Sequence, residues 1–290
     1  MVEIQDGSFR YDLSVQVLNK VNLSISEPGV YGLLGDNGAG KSTLLRILAK
    51  IYTLNSGRIS VPTSFGMLSD KFGLYKNLTV EQNLLFHCNI AGVEDDLIQE
   101  TFLDICEGAG FLKTKVKLLS SGQKQLVKIV RAFLTNSNLI LLDEPFANLD
   151  DKSKRNLKKV LIRKGKEKAV ILSTHQLLAI EEITKNVFFL KNGNLVCLNF
   201  DEYYAFNENA YYVILDKMDE QSLKEDMIVH FGPETIKVFR NCLVVNSDKL
   251  SRHQLHQLLT DYNLQWSYIS NFCPIIQIVL NELAHKNLTD

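Results

Sequence analysis

Neither sign of charge dominates this sequence: Lys and Arg number 32 against 33 Asp and Glu, a net charge of -1. A general nucleic-acid binder carries a basic excess, so no nucleic-acid partner is expected. The five cysteines (Cys88, Cys106, Cys197, Cys242 and Cys273) are scattered, with no C-x-x-C pair. That pattern offers neither a metal site nor a disulfide frame, and fits reduced thiols in a cytosolic chain. Long apolar runs are missing as well. No window approaches the roughly 18 uninterrupted apolar residues of a membrane span. The runs at 139–142 and 187–190 suit buried strands instead. The opening MVEIQDGSFRYD places charges where a signal peptide needs an apolar core. Internal repeats and low-complexity tracts are also lacking. A cytosolic chain is expected, one that borrows any membrane role from a partner.

What is present fits a globular protein of one large domain or two modest ones: 290 residues, 46% hydrophobic and 22% charged. From 2 to 30 the chain alternates in short β-like runs (2–5, 15–18, 21–25) broken by turn residues, then enters a buried strand at 30–34. Helical spacing begins at Lys41. Asn55-Ser56-Gly57 and Pro62 mark turns before a strand at 64–68. From 77 to 118 the character is helical, and Thr79 with Gln82 three residues later forms a capping box. A further helix is expected over 96–106. Strand character returns at 139–142 and 170–172, with a Lys/Arg-rich helix between. Asn192-Gly193 between two apolar runs signals a type I′ hairpin. Strands alternating with helices imply an α/β core with parallel pairing. Beyond about 208 come short strands (210–215, 227–230, 242–245) and helices (248–261, 273–285), a small α+β appendage.

Two segments carry chemistry. Gly35-Asp36-Asn37-Gly38-Ala39-Gly40-Lys41-Ser42-Thr43 fits G-x-x-x-x-G-K-[ST] between a strand and a helix. Glycines let the loop turn its backbone N–H groups inward onto phosphate oxygens, and the helix adds its positive N-terminal end. Lys41 would reach the β/γ-phosphates and Ser42 would ligate Mg²⁺, with Asn37, Gly38, Gly40 and Thr43 completing the nucleotide cradle. The second segment, Leu139-Ile140-Leu141-Leu142-Asp143-Glu144, is an apolar strand delivering two carboxylates at its C-terminal end, where ligands bind in open α/β sheets. Asp143 suits the Mg²⁺ shell, directly or through water. Glu144 suits the general base that polarises an attacking water.

With these two segments the first 200 or so residues resemble the ABC (ATP-binding cassette) ATPase family. Leu119-Ser120-Ser121-Gly122-Gln123 is similar to its signature L-S-G-G-Q, with Ser121 in place of the first glycine, and is followed by Gln125 and a helix. The resemblance implies that Ser120, Gly122 and Gln123 contact the γ-phosphate held by a second subunit. Phe146-Ala147-Asn148-Leu149-Asp150 resembles the D-loop, implying that Asp150 sits near the nucleotide sites of a dimer. Ser173-Thr174-His175 resembles the switch histidine that senses the γ-phosphate. Tyr11 matches the aromatic that stacks on adenine. Asp70 falls where the family has a glutamine that touches Mg²⁺ and the lytic water. Aspartate can still ligate Mg²⁺ but is shorter and charged, so hydrolysis with altered rate or coupling is expected. The segment 72–90 resembles the groove that receives a coupling helix from a membrane subunit.

The resemblance implies a P-loop α/β core with an antiparallel β subdomain and a helical subdomain at about 72–135. That ATPase domain would cover 1–205, and a small α+β accessory domain 206–290. Only about a hundred residues separate Lys41 from Asp143, so no long coiled coil intervenes, against the chromosome-maintenance branch. A single cassette without a basic linker argues against the translation-factor branch. What remains is a transporter's ATP-hydrolysing subunit, bound peripherally on the cytoplasmic face of the membrane. It would work with a transmembrane permease subunit and a second ATPase subunit, identical or paralogous. The stretch 258–283 loosely resembles the tail of ABC-2-type drug and peptide exporter ATPases, which points to export of a peptide, drug or lipid-like substrate. Bacteriocin-immunity or amphipathic-peptide exporters are the nearest kind. The alternatives are an importer ATPase and a regulatory module that binds ATP with weak hydrolysis.

Overall fold

A computed structural model describes residues 1–11, 15–69, 73–107, 110–175, 180, 182–199, 210–215, 227, 229–239, 242–262, 264 and 266–270. The chain divides into two compact units, Met1–Leu198 and Asn199–Asp290.

In the first unit, β1 (Val2–Arg10) pairs antiparallel with β2 (Gln16–Ile25) on one side and β4 (Ser56–Ser60) on the other. The expected short runs are continuous strands. Residues that read as breaks are absorbed as irregularities: the β1–β2 register shifts three times between Ile4 and Arg10, and Asp6 and Lys20 take positive φ values of 49° and 43°. Val2, Ile4, Val21, Leu23 and Ile25 alternate with exposed or half-buried neighbours and belong to the core.

The main sheet has the order β5-β6-β7-β3-β8-β9. Its members are β3 (Gly29–Leu34), β5 (Gly66–Leu68), β6 (Leu139–Asp143), β7 (Ala169–Thr174), β8 (Asn186–Lys191) and β9 (Asn194–Asn199). Pairing is parallel from β5 through β8. The first four residues of β6, Leu-Ile-Leu-Leu, are buried without alternation, as in a strand covered on both faces. Each such side chain contributes about 1.5–3 kcal/mol of burial. Asn192 and Gly193 turn β8 into β9 with φ of 50° and 79°, the positive pair that a type I′ turn requires.

Helix α1 (Lys41–Leu48) packs Leu44, Leu45, Ile47 and Leu48 into the core shared by the main sheet and the antiparallel sheet. Three helices, α2 (Val80–Ala91), α3 (Leu97–Cys106) and α4 (Ser121–Phe133), form the helical region, and α5 (Asp151–Gly165) links β6 to β7. Helix α2 opens with the expected Thr79–Gln82 capping box. The unit is therefore an α/β P-loop core carrying an antiparallel β sheet and a helical region.

In the second unit, β10 (Ala210–Leu215), β11 (Ile236–Phe239), β12 (Cys242–Asn246) and β13 (Trp266–Ser270) form an antiparallel sheet ordered β11-β12-β10-β13. Helix α6 (Arg252–Asp261), capped by Ser251 and Gln254, buries Leu255, Leu258 and Leu259 in the same core as Leu243 and Val245. The strand expected at 227–230 does not form: positions 227 and 229–231 are helical. The four-residue run Met-Ile-Val-His has strand composition but no length to decide the matter, and Met227 buries itself from a helical turn instead. The helix expected at 273–285 lies outside the described residues. Among the described residues no helix is long and apolar enough to cross a membrane.

Candidate functional site

Strand β3 sits between β7 and β8 and delivers its C-terminal end into the glycine-rich loop. Gly40 closes that loop as the N-cap of α1 with φ of 104°, and a Cβ there would meet a Val17 side-chain carbon at 2.8 Å. The turn thus needs both the left-handed backbone and the missing side chain. Lys41 follows, buried, with Nζ donating to the carbonyls of Gly35 at 2.7 Å and Asp36 at 3.0 Å. Burial pushes its pKa below the ordinary lysine value, against the opposing pull of Glu144, Asp143 and Asp36. The ammonium is therefore anchored over the loop that would cradle phosphate.

Two residues later, Thr43 Oγ1 lies 2.7 Å from the Tyr11 hydroxyl. Tyr11 is 52% exposed and meets Phe9 and Tyr52 edge-on, with ring centroids 5.1 and 5.6 Å away. A half-open aromatic face is thereby braced against the first turn of α1, where a purine base could stack.

The parallel register sets Asp143 of β6 opposite Ser173 of β7. Ser42 Oγ donates to Asp143 Oδ1 at 3.0 Å, and Ser173 Oγ donates to the same oxygen at 2.7 Å. The next residue, Glu144, takes the left-handed conformation with φ of 47°, unusual for a residue with a Cβ. Each polar group of Glu144 has a partner. Its N–H donates to Ser173 Oγ at 2.9 Å, its carbonyl accepts from Gln125 Nε2 at 3.2 Å, and its Oε1 lies 3.0 Å from His175 Nδ1. Lys41, Ser42, Asp143, Glu144 and His175 thus converge on one end of the parallel sheet, where such folds bind ligands.

The other expected site residues are placed differently. Ser120 caps α4: its hydroxyl accepts from the Gln123 N–H at 3.1 Å, and the Gln123 side chain answers to the Ser120 N–H at 3.0 Å. Gly122 lies against the carbonyl of Asn148. Asp150 caps α5 by accepting from the Ser153 N–H at 2.7 Å, a bond that lowers its pKa. Asn37 and Gly38 line a cleft of about 330 Å³ with Val17 of β2 and Asn192 of the hairpin. Asp70 lies outside the described residues.

A divalent cation fits this donor set. Ser42 and Asp143 bring hard oxygen atoms together beside the phosphate loop. Magnesium is characteristically held by one or two protein oxygens together with substrate phosphates, not by an all-protein cage.

Two residues of this network, Ser173 and Gln125, carry no role in the motif reading. Ser173 has no local signal, because its partners are set by the register of β6 against β7. Gln125 had none, because its bond to Glu144 depends on how α4 packs.

The profile of the ABC transporter family matches residues 18–147. An uncharacterized ABC transporter ATP-binding protein of Methanocaldococcus jannaschii, MJ1023, is 36% identical over 185 residues, 62% of this chain and 71% of that protein. A probable sulfate/thiosulfate import ATP-binding protein of Chlorella vulgaris, CysA, is 32% identical, covering 63% of this chain and 84% of its own length. The bacitracin transport ATP-binding protein BcrA of Bacillus licheniformis is 26% identical over 93% of this chain and 90% of its own. Among solved structures, the dimeric ATP-binding cassette MJ0796 bound to ADP and Pi superposes with a TM-score of 0.60 at 25% identity, over 67% of this chain and 96% of that one. A phosphate loop, an acidic strand end and a fold shared with these proteins converge: the chain belongs to the ABC transporter family, as an ATPase that serves as the ATP-binding subunit of such a transporter.

Proposed function

We propose that this subunit hydrolyses ATP at the site formed by Lys41, Ser42, Asp143, Glu144 and His175, and powers export through a separate transmembrane permease. The observation that carries the hydrolytic assignment is the convergence of Ser42 and Ser173 on Asp143 beside a His175–Glu144 pair. Lys41 and the loop amides hold the β- and γ-phosphates. Ser42 and Asp143 would hold Mg²⁺, which would supply neutralisation of charge developing on the phosphate oxygens. Glu144 accepts a proton from the attacking water as its oxygen bonds to the γ-phosphorus. The bond from that phosphorus to the bridging oxygen of ADP breaks, leaving ADP and phosphate. His175 steadies the Glu144 carboxylate that takes the proton. Tyr11 stacks on adenine. Ser120, Gly122 and Gln123 serve the nucleotide of a second ATPase subunit, identical or paralogous, and Asp150 fixes the loop between the sites.

The extent of the relationship to the bacitracin transport protein favours export. That relative aligns over 93% of the chain, so the likeness runs through the C-terminal unit, whereas the sulfate/thiosulfate import protein covers 63%. We assign the second unit as an accessory domain of the exporter kind. A groove of about 610 Å³ lined by Phe65, Met67, Tyr75, Phe86, Ile90 and Arg131 is the place for a permease helix. Its exposed apolar residues Tyr75, Phe86 and Ile90 support that reading, and with it a subunit held on the cytoplasmic face of the membrane.

The test compares wild type with Glu144→Gln, each with and without its permease. Loss of a general base lowers kcat about a hundredfold or more, and the mutant binds ATP and stalls as a closed dimer. Turnover that survives in the mutant removes Glu144 from the role. Transport of the cargo into inside-out vesicles supports export, while a requirement for a substrate-binding protein supports import.

A further inference from the structure

Ser173 is fully buried at the end of β7, yet its hydroxyl is the junction between the two acidic residues of the site. It donates its single proton to Asp143 Oδ1 at 2.7 Å and accepts the Glu144 N–H at 2.9 Å. An ionised carboxylate only accepts, and a backbone N–H only donates, so the direction of both bonds is fixed. Asp143 Oδ1 accepts in turn from Ser42 Oγ at 3.0 Å. The result is one continuous chain of hydrogen bonds from the first turn of α1, through Asp143 and Ser173, to the peptide of Glu144.

The far end of that chain is a strained residue. Glu144 holds a φ of 47°, and the left-handed well is populated by a non-glycine residue only where its surroundings over-determine it. Ser173 provides such a restraint from the N–H side. His175, two residues on, meets Glu144 at its carboxylate instead.

We propose that Ser173 is a positioning residue of the ATPase reaction, coupling the orientation of Glu144 to that of Asp143. A shift of Asp143 toward its cation carries the Ser173 hydroxyl with it, and the hydroxyl carries the Glu144 peptide. The base is therefore aligned by the same event that organises the metal-binding oxygens of its own site. The inference rests on the assignment of Glu144 as general base.

Threonine and valine at position 173 are close in shape, with a methyl group in valine where threonine has its hydroxyl, so Ser173→Thr and Ser173→Val form the decisive pair. A small misplacement of a reacting group costs up to a hundredfold in rate, so Ser173→Val is expected to show a kcat about tenfold or more below Ser173→Thr. The Mg²⁺ concentration for half-maximal activity rises about threefold in the valine variant, because Asp143 loses one of its two hydroxyl donors. Affinity for a fluorescent ATP analogue stays within about twofold, since the phosphate loop is untouched. Amide exchange of the peptide containing Glu144, followed in the nucleotide-free protein, is faster in the valine variant than in the threonine one. If the added methyl group unfolds both, Ser173→Ala gives the same comparison against wild type. Equal kcat and equal exchange with and without the hydroxyl overturn the inference, provided that Glu144→Gln collapses turnover in the same assay. Turnover surviving in Glu144→Gln overturns the base assignment, and this inference with it.

Discussion

Gly122, in the first turn of α4, faces the Asn148 carbonyl so closely that a Cβ would stand 2.7 Å from the oxygen. Asn148 itself holds a left-handed backbone with φ of 61°. The signature turn and the loop that precedes α5 are thus in backbone contact, and any movement of one displaces the other. Gly122→Ala is expected to push that loop outward at a cost of about 1–3 kcal/mol in stability. Turnover falls about tenfold while the affinity of the phosphate loop for ATP holds, because Lys41 and Ser42 lie on other elements. Steady-state kinetics with a parallel binding titration checks this; equal losses in both would mean general unfolding.

The Tyr11–Thr43 bond separates two functions of one side chain. Tyr11→Phe keeps the ring against Phe9 and Tyr52 but loses the 2.7 Å bond to Thr43, for a loss of about 1 kcal/mol in stability. Tyr11→Ala removes the stacking surface itself, and ATP affinity drops about tenfold on the scale of base–aromatic stacking. Isothermal titration of ATP and GTP into both variants measures the two effects independently. If phenylalanine and alanine weaken ATP binding equally, the ring does not stack on the base.

The cap of α5 sets a dependence on pH. Hydrogen bonding from Ser153 depresses the Asp150 pKa. A group depressed in the folded state contributes stability that is fully present above its unfolded value, about 3.9 for aspartate, and lost as pH falls through the folded value. Asp150→Ala should therefore lower the melting temperature at neutral pH. The gap to wild type should close as the solution is acidified below the ordinary aspartate range. Asp150→Ser, which can still cap, provides the pH-independent control. A gap that persists unchanged at low pH would show that the carboxylate's charge is irrelevant to the cap.

The apolar groove predicts a binding defect without a folding defect. Ile90 is 71% exposed and lines it beside Phe86 and Tyr75. Ile90→Glu costs little in the isolated subunit, because no buried surface is lost, but places a charge in the proposed permease interface. Co-purification with the permease should fall while the melting temperature of the subunit alone stays within about 2 °C. Undiminished co-purification would move the interface elsewhere.

Much of this arrangement is legible in the sequence where a local rule decides it. The phosphate loop, the acidic end of β6, the Thr79–Gln82 cap and the Asn192-Gly193 hairpin each depend on residues within a few positions of one another. What was not legible depends on register and packing. Ser173 acquires its partners because β6 and β7 align Asp143 with it, and Gln125 reaches Glu144 across a gap of nineteen residues through the packing of α4. The 227–230 run failed for a different reason: four residues hold too little periodicity to tell a strand from a helical turn. Likewise, the interruptions in β1 and β2 were real local signals, overridden by a ladder that absorbed them as bulges.

Ser42 and Asp143 stand 101 positions apart in the chain, yet their side chains are bonded at 3.0 Å. A ligand that binds across that pair recognises only the folded protein, so it stabilises the fold by mass action, with the logarithm of its concentration. At ATP levels a hundredfold above the dissociation constant the gain is about 2.7 kcal/mol, a large fraction of the stability of an ordinary domain. Fuel is then also a folding ligand. The nucleotide-free subunit should therefore unfold at a lower temperature and be cut faster by protease than the same subunit saturated with nucleotide.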